Sequence, residues 1–314
     1  MTYSIIARDP ETGQMGVAVQ TCNLAVGTWV PWAAGGVGVV ATQATAERRY
    51  GTSGLDLMEA GLNAQETLQA LLAADADREL RQVSMIDNRG KAATHTGRCC
   101  IPQAGSFVGE SFCTQANMMA RDTVWGAMAA AYAAAQGTLA ERLLAALDAA
   151  QAEGGDLRGQ QTAALLVVGE RPSPVPLVDL RVDHNPQPVA ELHRLLRLHQ
   201  AYELEYEIVD LIAAGDRDVI YDLIGQIGKA APDEPYLQCL CALHLERDLG
   251  RRAEALNILQ PLIAERPQWR TYLERELLAA QRTGCAGLDA QFLRELDERL
   301  EKATGHPVMG ERNR

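Results

Sequence analysis

Pro172, Pro174, Pro176, Pro186 and Pro188 separate two stretches of chain with different hydrophobic periods. Each proline fixes φ, removes a backbone donor and pushes the residue before it out of the α region, so a dense run of them interrupts helix and sheet alike. Before the run, apolar residues alternate in short segments bounded by turn residues, the period of strands. Beyond it they recur at helical spacing almost to the end. The pattern predicts two domains, 1–187 and 188–314, the first α+β and the second all-α. At 314 residues the chain is long enough to give each its own core.

In the first domain, Tyr3, Ile5 and Ala7 alternate with Thr2, Ser4, Ile6 and Arg8. Asp9-Pro10-Glu11-Thr12-Gly13 supplies turn chemistry, and Met15, Val17 and Val19 resume the alternation, which predicts an N-terminal hairpin. Trp29, Pro31 and Trp32 fall in an expected loop, followed by a strand over Gly36 to Gln43. Asn63 and Glu66 stand at capping-box spacing before a helix to about Ala74. A second hairpin is predicted over Val83 to Thr96, turning at Asn88-Arg89-Gly90, and a single strand over Phe107 to Asn117. Alanine-rich helices are expected over Asp122 to Gln136 and Leu139 to Glu153, the second capped by Thr138 with Glu141. Strands over Gln161 to Val168 and Leu177 to Val182 complete a mostly antiparallel plan.

The second domain reads as helices over Val189 to Ala214, Val219 to Ala231, Pro235 to Leu249, Arg251 to Glu265, Gln268 to Gln281 and Leu288 to Ala303. Gly250 to Leu256, with Pro232 and Pro267 spaced 35 apart, resembles a tetratricopeptide unit, whose period is about 34. Repeat arrays of this kind usually need three or more units, so these helices are expected to lean on another surface, and a homodimer is predicted.

The net charge is −12, from 29 basic and 41 acidic residues spread along the chain, which argues against nucleic acid as a partner. No basic amphipathic stretch suggests a membrane surface, and no apolar run approaches a membrane span or an export signal, so a cytoplasmic location is expected. The seven cysteines have no C-x-x-C spacing and are expected to be reduced. The histidines show no ligand spacing, so no metal and no cofactor are predicted.

Thr2 is the first candidate for chemistry. Removal of Met1 would leave a residue carrying both a hydroxyl and an α-amine, a compact nucleophile with its own base. Ser4 to Gly13, Gly16 to Val19, Gly36 to Ala44, His95-Thr96-Gly97 and Gly154-Gly155-Asp156-Leu157-Arg158-Gly159-Gln160-Gln161 resemble the bacterial family catalogued as domain of unknown function 1028, over roughly Thr2 to Leu196. That family is similar to the N-terminal nucleophile (Ntn) hydrolases. The resemblance implies a four-layer αββα sandwich and hydrolysis of a small amide or peptide-like substrate, with Thr2 at the nucleophile position.

Backbone around Thr21 to Asn23 and the Thr42-Gln43 segment are candidate oxyanion donors or substrate contacts. Asp156, Arg158, Gln160 and Gln161 follow a Gly-Gly turn and are read as a site-facing loop or a structural salt-bridged turn. His95 is a proton shuttle or a hydrogen-bonded strand histidine, and Asn117 points into the site or terminates its strand. Cys22 with His95 is an alternative thiol nucleophile. Proteasome-like relatives place a lysine near the nucleophile. Here only Lys91 precedes residue 229, so Arg8 or Arg158 is the candidate for the assisting charge.

The alternative function is a catalytically silent sandwich that binds a small ligand, with the helical domain contacting a protein partner. Relatives of the family often carry a C-terminal module labelled as peptidoglycan-binding, which adds cell-wall fragments as a third candidate ligand.

Overall fold

The computed structural model describes residues 2–283 and 288–304. Two compact units divide the chain, Met1–Leu196 and Arg197–Arg314. The first opens with β1 (Thr2–Arg8), β2 (Met15–Thr21), β3 (Pro31–Ala34) and β4 (Gly38–Ala44), then α1 (Arg49–Glu59) and α2 (Ala64–Ala73). There follow β5 (Arg81–Asp87), β6 (Ala92–Thr96), β7 (Gly105–Gly109), β8 (Phe112–Asn117), α3 (Val124–Ala134), α4 (Leu139–Ala152), β9 (Thr162–Val168) and β10 (Val178–Val182).

The strands form two antiparallel sheets, in the orders β10-β9-β2-β1-β8-β7 and β3-β4-β5-β6. Because side chains alternate across a strand, each sheet has two faces with separate partners. On the larger sheet, Tyr3, Ile5, Ala18, Ala116 and Leu165 pack with Met128, Leu143 and Leu147 of α3 and α4. On the smaller sheet, Val40, Val83 and Met85 pack with Tyr50, Met58 and Leu68 of α1 and α2. The remaining faces meet each other through Ile6, Met15, Val17, Val19, Val39, Ala41, Ile86 and Cys113. Thr2, Ser4 and Ile6 share this interior face of β1.

Local chemistry explains several elements. Asn63 Oδ1 accepts from the Gln65 and Glu66 amides while Glu66 accepts from the Asn63 N–H, and Thr138 and Glu141 form the same reciprocal cap. The predicted strand over Phe107 to Asn117 is instead the hairpin β7–β8, which turns at Glu110 and Ser111 with Ser111 at φ 59°. The expected loop around Pro31 and Trp32 contains β3, an edge strand in which a proline costs no ladder bond on its open side. Helix α1 was outside the sequence expectations because Gly51 and Gly54 interrupt its pattern. A Cβ at Gly51 would lie 2.3 Å from the Trp32 ring, so the glycine lets α1 seat on β3.

Helix α5 (Pro188–Ala214) begins in the first unit, where Val189, Leu192 and Leu196 join the α4 core. The division of the chain therefore falls inside α5, past the proline run. The second unit continues with α6 (Arg217–Ala230), α7 (Pro235–Arg247), α8 (Arg252–Glu265), α9 (Gln268–Thr283) and α10 (Ala290–Thr304). Its core includes Ile208, Ile224, Ile227, Leu237, Leu256, Leu259, Leu273, Phe292 and Leu296. Buried His244 lies between Asp248 and Glu205, and Arg252 bridges Glu246, Asp289 and Glu295. Among the described residues, no helix is long and apolar enough to cross a membrane.

Candidate functional site

At one end of the interior layer the side chains change from aliphatic to amide and hydroxyl. Thr2 lies there, 5% exposed, opposite Asn117 in the β1–β8 register, and its Oγ1 donates to Thr21 Oγ1 at 3.2 Å. The Thr2 carbonyl accepts from Gln43 Nε2 at 3.1 Å and from Asn117 Nδ2 at 3.4 Å. Gln43 Oε1 in turn accepts from Ser4 Oγ at 2.7 Å, and Gln115 Nε2 donates to Ser4 Oγ and the Ala41 carbonyl.

Gln82 joins these groups from β5. Its Oε1 accepts from Gln43 Nε2 at 2.8 Å and Asn117 Nδ2 at 2.9 Å, and its Nε2 faces Thr96 Oγ1, the Gly105 carbonyl and the Ala116 carbonyl. Every amide in this cluster is neutral, and Gln43, Gln82, Gln115 and Asn117 are all buried. Such groups are costly to bury without partners, so a connected network defines its geometry sharply.

A second set of contacts surrounds Asp156 at the same end. The Asp156 carboxylate has no exposed side-chain surface; it accepts from the Cys22 N–H at 3.1 Å, the Arg158 N–H at 2.9 Å and the Arg158 guanidinium at 3.3 Å. Arg158 also donates to Asn23 Oδ1 at 3.5 Å, and Thr162 Oγ1 donates to the Asn23 carbonyl. The Gln161 N–H donates to the Thr21 carbonyl, while its side chain pairs with His184. Behind the sheet, the Tyr3 hydroxyl donates to Gln151 Oε1, and burial, followed by the charges of Asp156 and Asp148, raises its pKa far above the usual phenol range.

The structure thus gathers Thr2, Thr21, Asn23, Gln43, Asn117, Asp156, Arg158 and Gln161 at one end of the first unit. Gln160 is half-buried beside them in the same loop. Thr42 and His95 are not part of this group. Both pair with Val83, whose side chain packs under α2, so they occupy the outer face of the smaller sheet. Thr42 Oγ1 is engaged by the Glu47 backbone, and His95 Nε2 is 2.8 Å from the Arg78 carbonyl. Cys22 Sγ contacts the Arg158 carbonyl at 3.7 Å, so the Cys22–His95 pairing does not form. Arg8 ends β1 six residues from Thr2, about 20 Å along an extended strand, which removes it as the assisting charge.

Sequence reasoning missed Gln82. Its signal is slight, a polar residue entering an apolar strand, and its importance lies in cross-sheet partners. Left-handed backbone also occurs at this end of the first unit, as it does at Ser111 in the β7–β8 turn. Ala44 directly follows Gln43 and Met118 directly follows Asn117, both non-glycine residues in the left-handed region, at φ 66° and 58°. Gln103, at φ 55°, accepts from the Met119 N–H through its carbonyl. Such conformations cost about 1–3 kcal/mol each and cluster at functional sites. Among the described residues, no group of three or more His, Cys, Asp or Glu is placed to hold a metal ion.

Comparison with known proteins agrees with this division of the chain. A family described as a family of unknown function (DUF1028) matches residues 2–192. A crystal structure of a protein of that family from Silicibacter pomeroyi superposes with a TM-score of 0.57 at 35% identity, covering 62% of this chain and 88% of the other. No curated protein matches the sequence.

Proposed function

The chain belongs to the family of unknown function DUF1028, and from that premise we propose that its first unit is an amidohydrolase of the Ntn type. The observation that carries this reading is the fixing of Thr2, whose carbonyl is held by two buried amides while its hydroxyl meets Thr21. The order helices, sheet, sheet, helices agrees with the sandwich implied by the Ntn resemblance.

In the proposed reaction, removal of Met1 turns the Thr2 nitrogen into an amine. That amine takes the hydroxyl proton as Thr2 Oγ1 attacks the substrate's amide carbonyl carbon. The proton passes to the leaving nitrogen as the C–N bond breaks, and an ester remains on Thr2. Water then attacks the ester and returns the free hydroxyl. An ordinary α-amine titrates near 7.7–8.0 and is partly unprotonated at neutral pH. Gln43 and Asn117 hold the nucleophile's own carbonyl, and the Cys22 N–H is engaged by Asp156. We assign the oxyanion donor to the Thr21–Asn23 segment, where Arg158 donates to Asn23 Oδ1. The substrate is a small amide or peptide-like molecule. Location in the cytoplasm, and action without metal or cofactor, complete the proposal.

A second reading rests on the helical unit, where Ile224, Ile227, Pro232, Cys241, Ile258 and Leu262 help line a groove of about 570 Å³. The tetratricopeptide-like spacing there supports binding of a protein partner or association as a homodimer, with the first unit a silent ligand-binding sandwich.

The deciding experiment treats the purified protein with an amine- and hydroxyl-acylating β-lactone and reads the first peptide by mass spectrometry. The hydrolase reading expects an acyl adduct on a chain beginning at Thr2, absent in Thr2→Ala. Retention of Met1 in protein from cells able to remove it, or labelling of Thr2 no faster than other hydroxyls, would sink that reading.

A further inference from the structure

Primary amides are ambiguous partners, because turning one by half a revolution exchanges its donor and acceptor. Gln43 and Asn117 each present N–H to the Thr2 carbonyl, and each would present oxygen to that carbonyl if turned. Oxygen facing oxygen at these distances is repulsive, so the grip on Thr2 depends on something that fixes the sense of both amides.

Gln82 has the surroundings to do this. Around its Nε2 stand the carbonyls of Ala116 at 2.9 Å and Gly105 at 3.2 Å, which only accept, and the Thr96 hydroxyl at 3.0 Å, which accepts here. The two carbonyls cannot donate, so the Gln82 amide has one sense. Its Oε1 then faces Gln43 and Asn117 and accepts only from N–H groups. Ser4 reinforces the choice at Gln43 by donating to Oε1 at 2.7 Å. The sense set by two β-sheet carbonyls is thus carried across the interior layer to the Thr2 carbonyl.

We infer that Gln82 is the positioning residue for Thr2, setting the polarity of the amide relay that orients the nucleophile without touching the reacting atoms. The kinetic consequence rests on the Ntn reading above, whereas the geometric consequence does not. Misplacing a reacting group by about 1 Å costs on the order of a hundredfold in rate, and a turned Gln43 or Asn117 would remove the hydrogen bonds that hold the Thr2 carbonyl.

The test uses the full chain and three proteins: wild type, Gln82→Met and Gln82→Glu. Methionine keeps the volume and abolishes the relay. The introduced carboxyl keeps the acceptor, and burial against carbonyls favours its protonated form, which also donates. Saturation kinetics of β-lactone labelling at Thr2 separate reagent binding from acylation. Gln82→Met is expected to lose about a hundredfold in the acylation rate constant with the reagent's half-saturation concentration unchanged. Gln82→Glu is expected to stay near wild type at neutral pH, because its carboxyl keeps the acceptor that faces Gln43 and Asn117.

A loss confined to reagent binding, or equal acylation rates in all three folded proteins, would overturn the inference. If Gln82→Met does not fold, the same comparison is made with Gln82→Leu, and an unchanged acylation rate there is the negative result. If wild type does not label, the Ntn reading fails separately. The relay is then judged by crystal structures of wild type and a folded variant, Gln82→Met or Gln82→Leu. Gln43 and Asn117 retaining their hydrogen bonds to the Thr2 carbonyl in the variant would refute it.

Discussion

The two ends of the layer between the sheets are built from the same strands and the same strand faces, yet they differ in chemistry. At one end Ile6, Met15, Val17, Val39, Ile86 and Cys113 fill the space with aliphatic and sulfur atoms. At the other, Thr2, Ser4, Gln43, Gln82, Gln115 and Asn117 fill it with hydrogen bonds. The aliphatic end holds by area and volume, which are non-directional, so a changed methyl is felt locally. The amide end holds by direction, so each group fixes its neighbours. One face of β1 thus passes in four residues from packing, at Ile6, to positioning, at Thr2.

The largest effect should come from Gln43→Leu, which removes the donor to the Thr2 carbonyl and leaves Ser4 Oγ and Gln82 Oε1 without this partner. Chemical unfolding is expected to show a loss of about 3–4 kcal/mol, and labelling at Thr2 should fall on the order of a hundredfold. If stability fell by less than a typical surface substitution, the amide end would be no more directional than the aliphatic one.

A smaller effect belongs to charge, which the first unit keeps off the amide cluster. Arg81 and Gln82 are neighbours on opposite faces of β5, and Arg81 Nε lies 2.9 Å from buried Asp75. The bond from Arg81 is the main cause that holds the Asp75 carboxyl down at about 2. Because the folded value is depressed, the stabilisation is present above the unfolded value, ~3.9, and is lost as pH falls toward 2. Acid unfolding curves should lose about 2 kcal/mol over that window, a loss absent in Asp75→Asn.

The smallest effect is expected for Ile6→Val at the aliphatic end, about 1 kcal/mol in thermal or chemical unfolding, with the rate of Thr2 labelling unchanged. A change in that rate would mean that packing at Ile6 is transmitted along β1 to the site.

Much of this was legible beforehand. The capping boxes at Asn63 and Thr138, the N-terminal hairpin and the change at the proline run depend on neighbours in sequence, and they read directly from it. Thr2, Asn117 and the Asp156 loop were singled out from the residues and the family resemblance. Strand β3 was hidden because its partner β4 and its cover α1, not alternation, make it a strand. Gln82 was hidden because its bonds reach residues distant in sequence.

By itself the sequence determined which residues share a strand face, since the backbone turns each successive side chain to the opposite side. It placed Thr42 opposite in sense to Gln43, and His95 opposite to Thr96. Only the tertiary structure decided which of those faces meets the other sheet. Stacking put Gln43 and Thr96 inside, with Gln82 between them, and turned Thr42 and His95 toward backbone on the outer face. That choice depends on how two sheets and their helices bury their apolar faces together, a property of the assembled layers that no single strand contains.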